Sequence, residues 1–287
     1  ADSQVAPYEE YYFKHRIERE TIYEDLEAQT KQRHHRLIAQ WLEREAEEAD
    51  RRTTELVARH FDRARSLERA ARKYIEAADY ALTHYANDQA IELYTKGLSY
   101  LSDSDIGLKL HAFHDLGTVY ALRGEHDQAL AYFREMLRYS WLLNDHAKGG
   151  VAHNKVGRAY RALGEYDDAM EHLQRALELF RDASDMRGVA STLDDIGQIH
   201  WVRGAYDEAL NYSSAGLQLR RQLADDRSIA LSLNHVGNLH LGRGDLKKAM
   251  VYFRESLALR RKVGDRQGVA DTYNNLAALC LERGQEE

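Results

Sequence analysis

The stretch GRAYRALGEYDDAMEHLQRAL (157–177) decides the fold, because its pattern returns at a fixed step along the chain. Gly117, Gly157, Gly197 and Gly237 stand 40 residues apart, and Ala277 continues the step. Gly124, Gly164, Gly204, Gly244 and Gly284 keep the same register. So do Ala129, Ala169, Ala209 and Ala249, and also Asp145, Asp185, Asp225 and Asp265. Four columns in one register define a repeat architecture. Each unit reads as a helix, a tight turn at the second glycine, another helix, and an Asp-led connection.

Each column has a physical reading. The first glycine column lets two helices approach closely, and the alanine column is the matching small contact on the second helix. The second glycine column marks the helix end, where a left-handed residue without a Cβ is favoured. The aspartates suit N-caps, where a carboxylate accepts the orphan N–H groups of the next helix. Between them large apolar residues recur at helical spacing: Phe113, Leu116 and Tyr120, then Val156 and Tyr160, then Leu193, Ile196 and His200. One such pair cannot bury its apolar face, whereas stacked pairs share a continuous core, so the sequence predicts an all-α solenoid.

Residues 157–177 resemble the tetratricopeptide repeat, with its G-x-x-Y, then G, then Y-x-x-A, then A-L pattern. The length and the connection VGDRQG (263–268) are similar to the longer repeats of the Pins-type adaptors and kinesin light chains. The resemblance covers 107–283. It implies a right-handed superhelix of helix pairs whose concave groove is lined by the first helix of each pair. On this reading 107–287 holds four full repeats and a terminal half repeat, and 31–106 holds divergent helical repeats.

Composition agrees. A single proline, Pro7, and 18 glycines among 287 residues exclude collagen and Pro-rich linkers and disfavour an all-β chain. Apolar content of 44% supplies a core. The net charge of −7 is spread evenly, with no basic block, so no nucleic-acid partner is expected. No run approaches the roughly 18 apolar residues of a membrane span, so no membrane partner is expected. The one cysteine, Cys280, permits no intrachain disulfide and fits a reducing, cytoplasmic setting.

Upstream, 74–101 reads as another helix pair, with Ala90 in the role of Ala129. Residues 55–71 read as a shorter helix leading into it. Residues 31–49 read as a longer helix with Leu37, Ile38, Trp41 and Leu42 on one face. Residues 1–30 form a separate N-terminal segment. Phe13-Lys14-His15 and Arg19-Glu20, followed by His35, Ile38-Ala39, Leu42-Glu43 and Leu56-Val57-Ala58, resemble the end of the winged-helix-like module of bacterial signal-transduction ATPases, cyclases and kinases. Glu18 and Ile22 depart from that pattern. In that group the segment leads into a tetratricopeptide array. The resemblance implies a sensor or regulatory arm that binds a partner protein or peptide, any catalytic domain lying upstream of Ala1. The alternative is a free-standing adaptor that assembles two partners.

Catalytic and metal chemistry find little support. The glycines of GRGDLKKAM (242–250) belong to the repeat register, not to a phosphate loop. His111 and His114 stand three apart, with His153 in the next unit, but no further ligand completes a metal site. Asp194 and Asp195 are helix neighbours about 100° apart and do not converge on one atom. His200 and His240 continue the column of Tyr120 and Tyr160 as packed interface residues. Cys280 continues it as a buried small hydrophobe. No cofactor, metal or catalytic residue is expected.

By analogy with the family, the groove-facing positions are offset from the first glycine column. They give His114, then Asn154, Arg158 and Arg161, then Asp194, Gln198 and Trp201, then Asn234 and Asn238, then Asn274. Asn154, Asn234 and Asn274 fall in one column and are expected to form a ladder, since an amide both donates to and accepts from a peptide backbone. Trp201 offers a large apolar surface, and Arg158 and Arg161 place positive charge beside Asp194. His114 and Thr118 stand where a chaperone-tail clamp needs Lys and Asn, so such a tail is not the expected ligand. The fifth unit stops near Gly284, after one helix. Val269, Tyr273, Leu276, Leu279 and Cys280 then leave apolar surface to cover, so this helix is expected to cap the array imperfectly, to contact another copy, or to continue into a further second helix.

Overall fold

The computed structural model describes residues 16–45 and 51–286. Among them fourteen helices follow one another and no strand occurs. They are α1 (Arg16–Asp25), α2 (Ala28–Glu45), α3 (Arg51–Arg63), α4 (Leu67–Thr83), α5 (Asn87–Leu98), α6 (Ile106–Leu122) and α7 (His126–Leu142). Then come α8 (His146–Leu163), α9 (Tyr166–Asp182), α10 (Met186–Val202), α11 (Tyr206–Gln222), α12 (Asp226–Gly242), α13 (Leu246–Lys262) and α14 (Arg266–Glu286). The chain divides into two compact units, Ala1–Ala112 and Phe113–Glu287.

In the first unit α2, α3, α4 and α5 pack in sequence. The expected pair over 74–101 is α4 with α5. The single helix expected over 55–71 is instead broken. Arg65 takes a left-handed φ of 55° and the Ser66 N–H reaches back to the Phe61 carbonyl at 2.9 Å. No glycine marks this turn, so periodicity alone runs through it. The expected apolar face of α2 also changes. His35, Ala39 and Leu42 are buried, while Leu37 and Ile38 are exposed; Leu37 lies about 140° around the helix from Leu42, too far to share its face. Residues 46–49 of that expected helix, and the Phe13-Lys14-His15 signature, lie outside the described residues.

The second unit repeats one local design. Gly124, Gly164, Gly204 and Gly244 take φ between 77° and 84° and end the first helices. Asp145, Asp185, Asp225 and Asp265 each accept a backbone N–H of the next helix, at 2.9–3.3 Å. A cap of this kind contributes about 1 kcal/mol. Ala129, Ala169, Ala209 and Ala249 are fully buried. A Cβ on Gly157 would come within 2.7 Å of Leu173, and one on Gly237 within 2.6 Å of Phe253, so these glycines set the helix approach.

Each full unit also carries a ring stacked on a ring. Tyr120 lies on Tyr132, Tyr160 on His172, His200 on Tyr212 and His240 on Tyr252, with centroids 5.1–5.5 Å apart. His200 and His240 are thus packed interface residues, as expected. Cys280 is not: it is exposed. It holds the same column, but among the described residues no ring stacks on it as the second helix supplies one elsewhere. Gly284 likewise forms no turn, and α14 runs through it to Glu286. Of the apolar residues on α14, Leu279 is buried, Val269 and Leu276 are half-buried and Tyr273 is exposed.

One column varies from unit to unit. Ser140, Phe180, Arg220 and Arg260 occupy the same place, near the end of each second helix, against the next first helix. Phe180 lies against Gly150 and Gly188, where Cβ atoms would collide with its ring. Arg220 is buried, and its Nη1 donates to Asp194 Oδ2 and Ser232 Oγ, both at 2.5 Å. Arg260 is also buried, 3.8 Å from Asp265 and 3.9 Å from Asp271.

Candidate functional site

The first helices of successive units are tied by polar side chains. Asn154 on α8 is buried, and its Nδ2 donates to Asp195 Oδ2 on α10 at 2.9 Å and to Thr192 Oγ1 at 3.2 Å. Asn275 on α14 donates to Asn234 Oδ1 on α12 at 3.0 Å. Both ties join a residue three before the small-residue column to one two before it in the next unit. The expected ladder of Asn154, Asn234 and Asn274 is therefore absent: Asn154 is buried, Asn234 is half-buried and tied, and Asn274 is exposed.

The remaining candidates also separate. Asp194 turns toward Arg220, so Arg158 and Arg161 neighbour Asp195, not Asp194. Arg158 Nε is 3.6 Å from Asp195 Oδ1. Burial holds the Asp195 carboxyl above its ordinary range, with Arg158 and Asn154 opposing that rise. Trp201 is half-buried. It packs on Tyr206 at 4.7 Å and against the core of the following unit, where Gly242 leaves room for its ring. His114 bonds its neighbour Asp115 at 2.6 Å, while Gln198 is half-buried and Asn238 exposed.

The structure gathers what the sequence kept apart. Lys155, Arg158 and Arg161 lie on one face of α8, at three-residue steps. With Thr118, His126 and Phe133 they line a cleft of about 230 Å³. The Lys155 ammonium meets a hydroxyl, Thr118 Oγ1 at 3.2 Å. Burial, and then the charge of Arg158, pull its pKa below the ordinary lysine value. Burial likewise lowers that of Arg161, whose Nε is buried without a hydrogen-bond partner, as is Nδ1 of His126. Desolvated cations facing a cleft carry a cost that an anionic guest would offset. Lys155 escaped sequence reading because it lies one column beside the family's groove positions. The signal was a wholly polar column: Asp115, Lys155, Asp195, His235 and Asn275.

On the opposite side of α8, His153 and His172 share a 2.9 Å Nδ1–Nδ1 hydrogen bond, so one ring donates its N–H and the other accepts on an unprotonated Nδ1. Burial, then the neighbouring His172, holds His153 down to about 4, and burial also lowers His172. A depressed folded pKa means the unfolded chain binds the proton first. The contribution is present above about pH 6.5 and is lost as pH falls toward 4. The urea midpoint is expected to fall between neutral pH and about pH 5, and His153→Gln is expected to flatten that fall. Identical slopes for the two proteins would assign it to other groups.

Consecutive antiparallel helix pairs on a shared core make the second unit an α-solenoid of repeats, a class built to present one continuous binding face. A family model for the tetratricopeptide repeat matches residues 108–182, 188–262 and 228–287, and the chain belongs to that family. BtubC (BKLC) from P. vanneervenii is 18% identical, with a TM-score of 0.56 over 84% of this chain and 93% of that one. A Signal Transduction ATPase with Numerous Domains with a tetratricopeptide repeat sensor, from Pyrococcus horikoshii, is 18% identical, with a TM-score of 0.57 over 94% of this chain and 40% of that one. Aspartyl phosphate phosphatase F from Bacillus subtilis is 10% identical, with a TM-score of 0.56 over 92% of this chain and 73% of that one. At these identities the likeness is one of fold. A comparison with curated proteins found no match. Among the described residues no helix is long and apolar enough to cross a membrane.

Proposed function

We propose that this chain is a non-catalytic interaction scaffold, the sensor arm of a signalling protein, that holds an acidic segment of a partner on the α8 face. The observation that carries this reading is the row Lys155, Arg158 and Arg161, of which, among the described residues, only Arg158 has a carboxylate within ion-pair distance. A glutamate or aspartate of the partner supplies the missing charge, and the cleft beside Phe133 takes the adjoining apolar atoms. The arm reading is supported by the signature at residues 13–43 and by the fold shared with the tetratricopeptide sensor of the P. horikoshii protein. The near-complete coverage of BtubC favours, as a second reading, a free-standing adaptor, which must hold two partners at once.

The test is fluorescence anisotropy with labelled hexaglutamate and hexaglutamine peptides. Hexaglutamate is expected to bind, more weakly as salt rises, and hexaglutamine not to bind. Lys155→Met with Arg161→Gln removes two charge-assisted contacts and is expected to weaken binding about a hundredfold. Equal affinity of the wild type for the two peptides, or of the two proteins for hexaglutamate, would sink the reading.

A further inference from the structure

A second cleft opens on the other side of α8, between α7 and α9, with a volume of about 530 Å³. The chain's own repeats explain why it opens there. Gly149 stands where the other units carry Val189, Ile229 and Val269. Ser140 stands where they carry Phe180, Arg220 and Arg260. Two side chains that fill this space elsewhere are missing. A third position changes in the opposite sense. Trp141, at the rim, replaces Arg181, Arg221 and Arg261, and Leu142 replaces Asp182, Gln222 and Lys262. Trp141 is 80% exposed and Leu142 53% exposed, so neither fills the hole beside it.

The charges of this cleft are already matched. Arg138 on α7 binds Glu135 at 2.7 Å, Arg175 on α9 binds Glu178 at 2.6 Å, and Asp145 binds Lys148 at 3.1 Å. Burial, which lowers the His153 pKa to about 4, leaves that ring uncharged near neutral pH. His146 lies 3.8 Å from Asp182, so among the described residues lining the cleft each charged group has a partner, and an apolar group finds Leu137, Gly149 and Leu179 in the lining.

We propose that this face pairs two copies of the chain, the Trp141 indole of each entering the Gly149–Ser140 cleft of the other. Hole and knob lie on one patch, which is the requirement for a two-fold interface, where residue i meets j and j meets i. The locally balanced ion pairs let two identical faces meet without like-charge repulsion. The pairing is independent of the acidic-segment reading and uses a surface separate from α14.

The test is sedimentation velocity on the whole chain over a concentration series, with tryptophan emission recorded in parallel. The wild type is expected to pass from monomer to dimer with a blue shift of emission. Trp141→Arg and Gly149→Val each install the residue that other repeats carry at that position. A Cβ at Gly149 would lie 3.3 Å from Leu179 Cδ1 and 3.8 Å from Ser140 Oγ, so the Leu179 side chain has to yield by a few tenths of an ångström, and the circular dichroism checks that the fold survives. Loss of a central aromatic anchor weakens binding roughly 30-fold, and two-fold symmetry doubles the loss on the logarithmic scale, to about a thousandfold. Both variants are therefore expected to stay monomeric with unchanged circular dichroism. A wild type that is monomeric at its highest soluble concentration overturns the proposal. So does a dimer that survives both substitutions, which would place the contact on another surface such as α14.

Discussion

Replacing Arg220 by methionine is expected to cost about 3–5 kcal/mol at neutral pH, because it leaves a buried carboxylate without its counter-charge. Asp194 has Oδ2 on the Arg220 guanidinium, and its Oδ1 is buried without a hydrogen-bond partner. Burial has already pushed its pKa up to about 6, against the opposing pull of Arg220. A raised folded pKa means the folded chain holds the proton more tightly. The contribution of this carboxyl is fully present below about pH 4 and is lost as pH rises through about 6. The cost of Arg220→Met is therefore expected to shrink between pH 7 and pH 5. Adding Asp194→Asn, the residue type of Asn154 at the same register, is expected to recover much of it. Urea unfolding of the single and double variants at both pH values reads this directly. A cost that ignores pH and is not rescued would show that the pair contributes little.

Phe253→Ala is the second large effect, expected at about 3–5 kcal/mol for emptying a fully buried phenylalanine site. Its consequence is local. Phe253 lies over Gly237 and joins Ala249 and Leu279 in the last core cluster. Leu279 is the one large apolar side chain of α14 buried at about 1% exposure. In a linear array each element leans only on its neighbours, so the loss concentrates at the end. Hydrogen exchange is expected to accelerate along α13 and α14 while α8 and α9 keep their protection. Uniform acceleration along the whole second unit would instead show that the array unfolds as one block.

The columns that the sequence displays plainly are those whose physics admits few residue types. A left-handed turn asks for glycine, a cap asks for a short polar side chain, and a close helix approach asks for glycine or alanine. All three were readable, and with them the all-α repeat. Arg65 shows the limit. It closes a turn in a left-handed conformation with no glycine to announce it. Cys280 shows another, since burial depends on a partner ring that its column has elsewhere and the last helix lacks. The site was legible by type more than by place. Arg158 and Arg161 were found from family positions, but their neighbour is Asp195, and Lys155 became visible only once α6 and α8 were side by side. Asn154 and Trp201 were read as ligand-facing, yet both serve the junctions between units. Polar and aromatic residues suit either task, and one sequence does not say which neighbour reaches them first.

The variable column at the junctions bears on how such a chain avoids mistakes while folding. Near-identical neighbours invite a helix to dock one unit too early or too late, the usual failure of repeat proteins. Here a slip by one unit is penalised at once. Phe180 set against the Ser228 position would meet a side chain where Gly188 leaves space for its ring. Arg260 set one unit early would keep an acid at the place of Asp265, where Asp225 stands, and lose the one at the place of Asp271, where Leu231 stands. The junctions thus act as addresses. Phe180 and Arg260 favour the unit that follows them in the chain, so unit order is checked there by packing as well as by covalent connection.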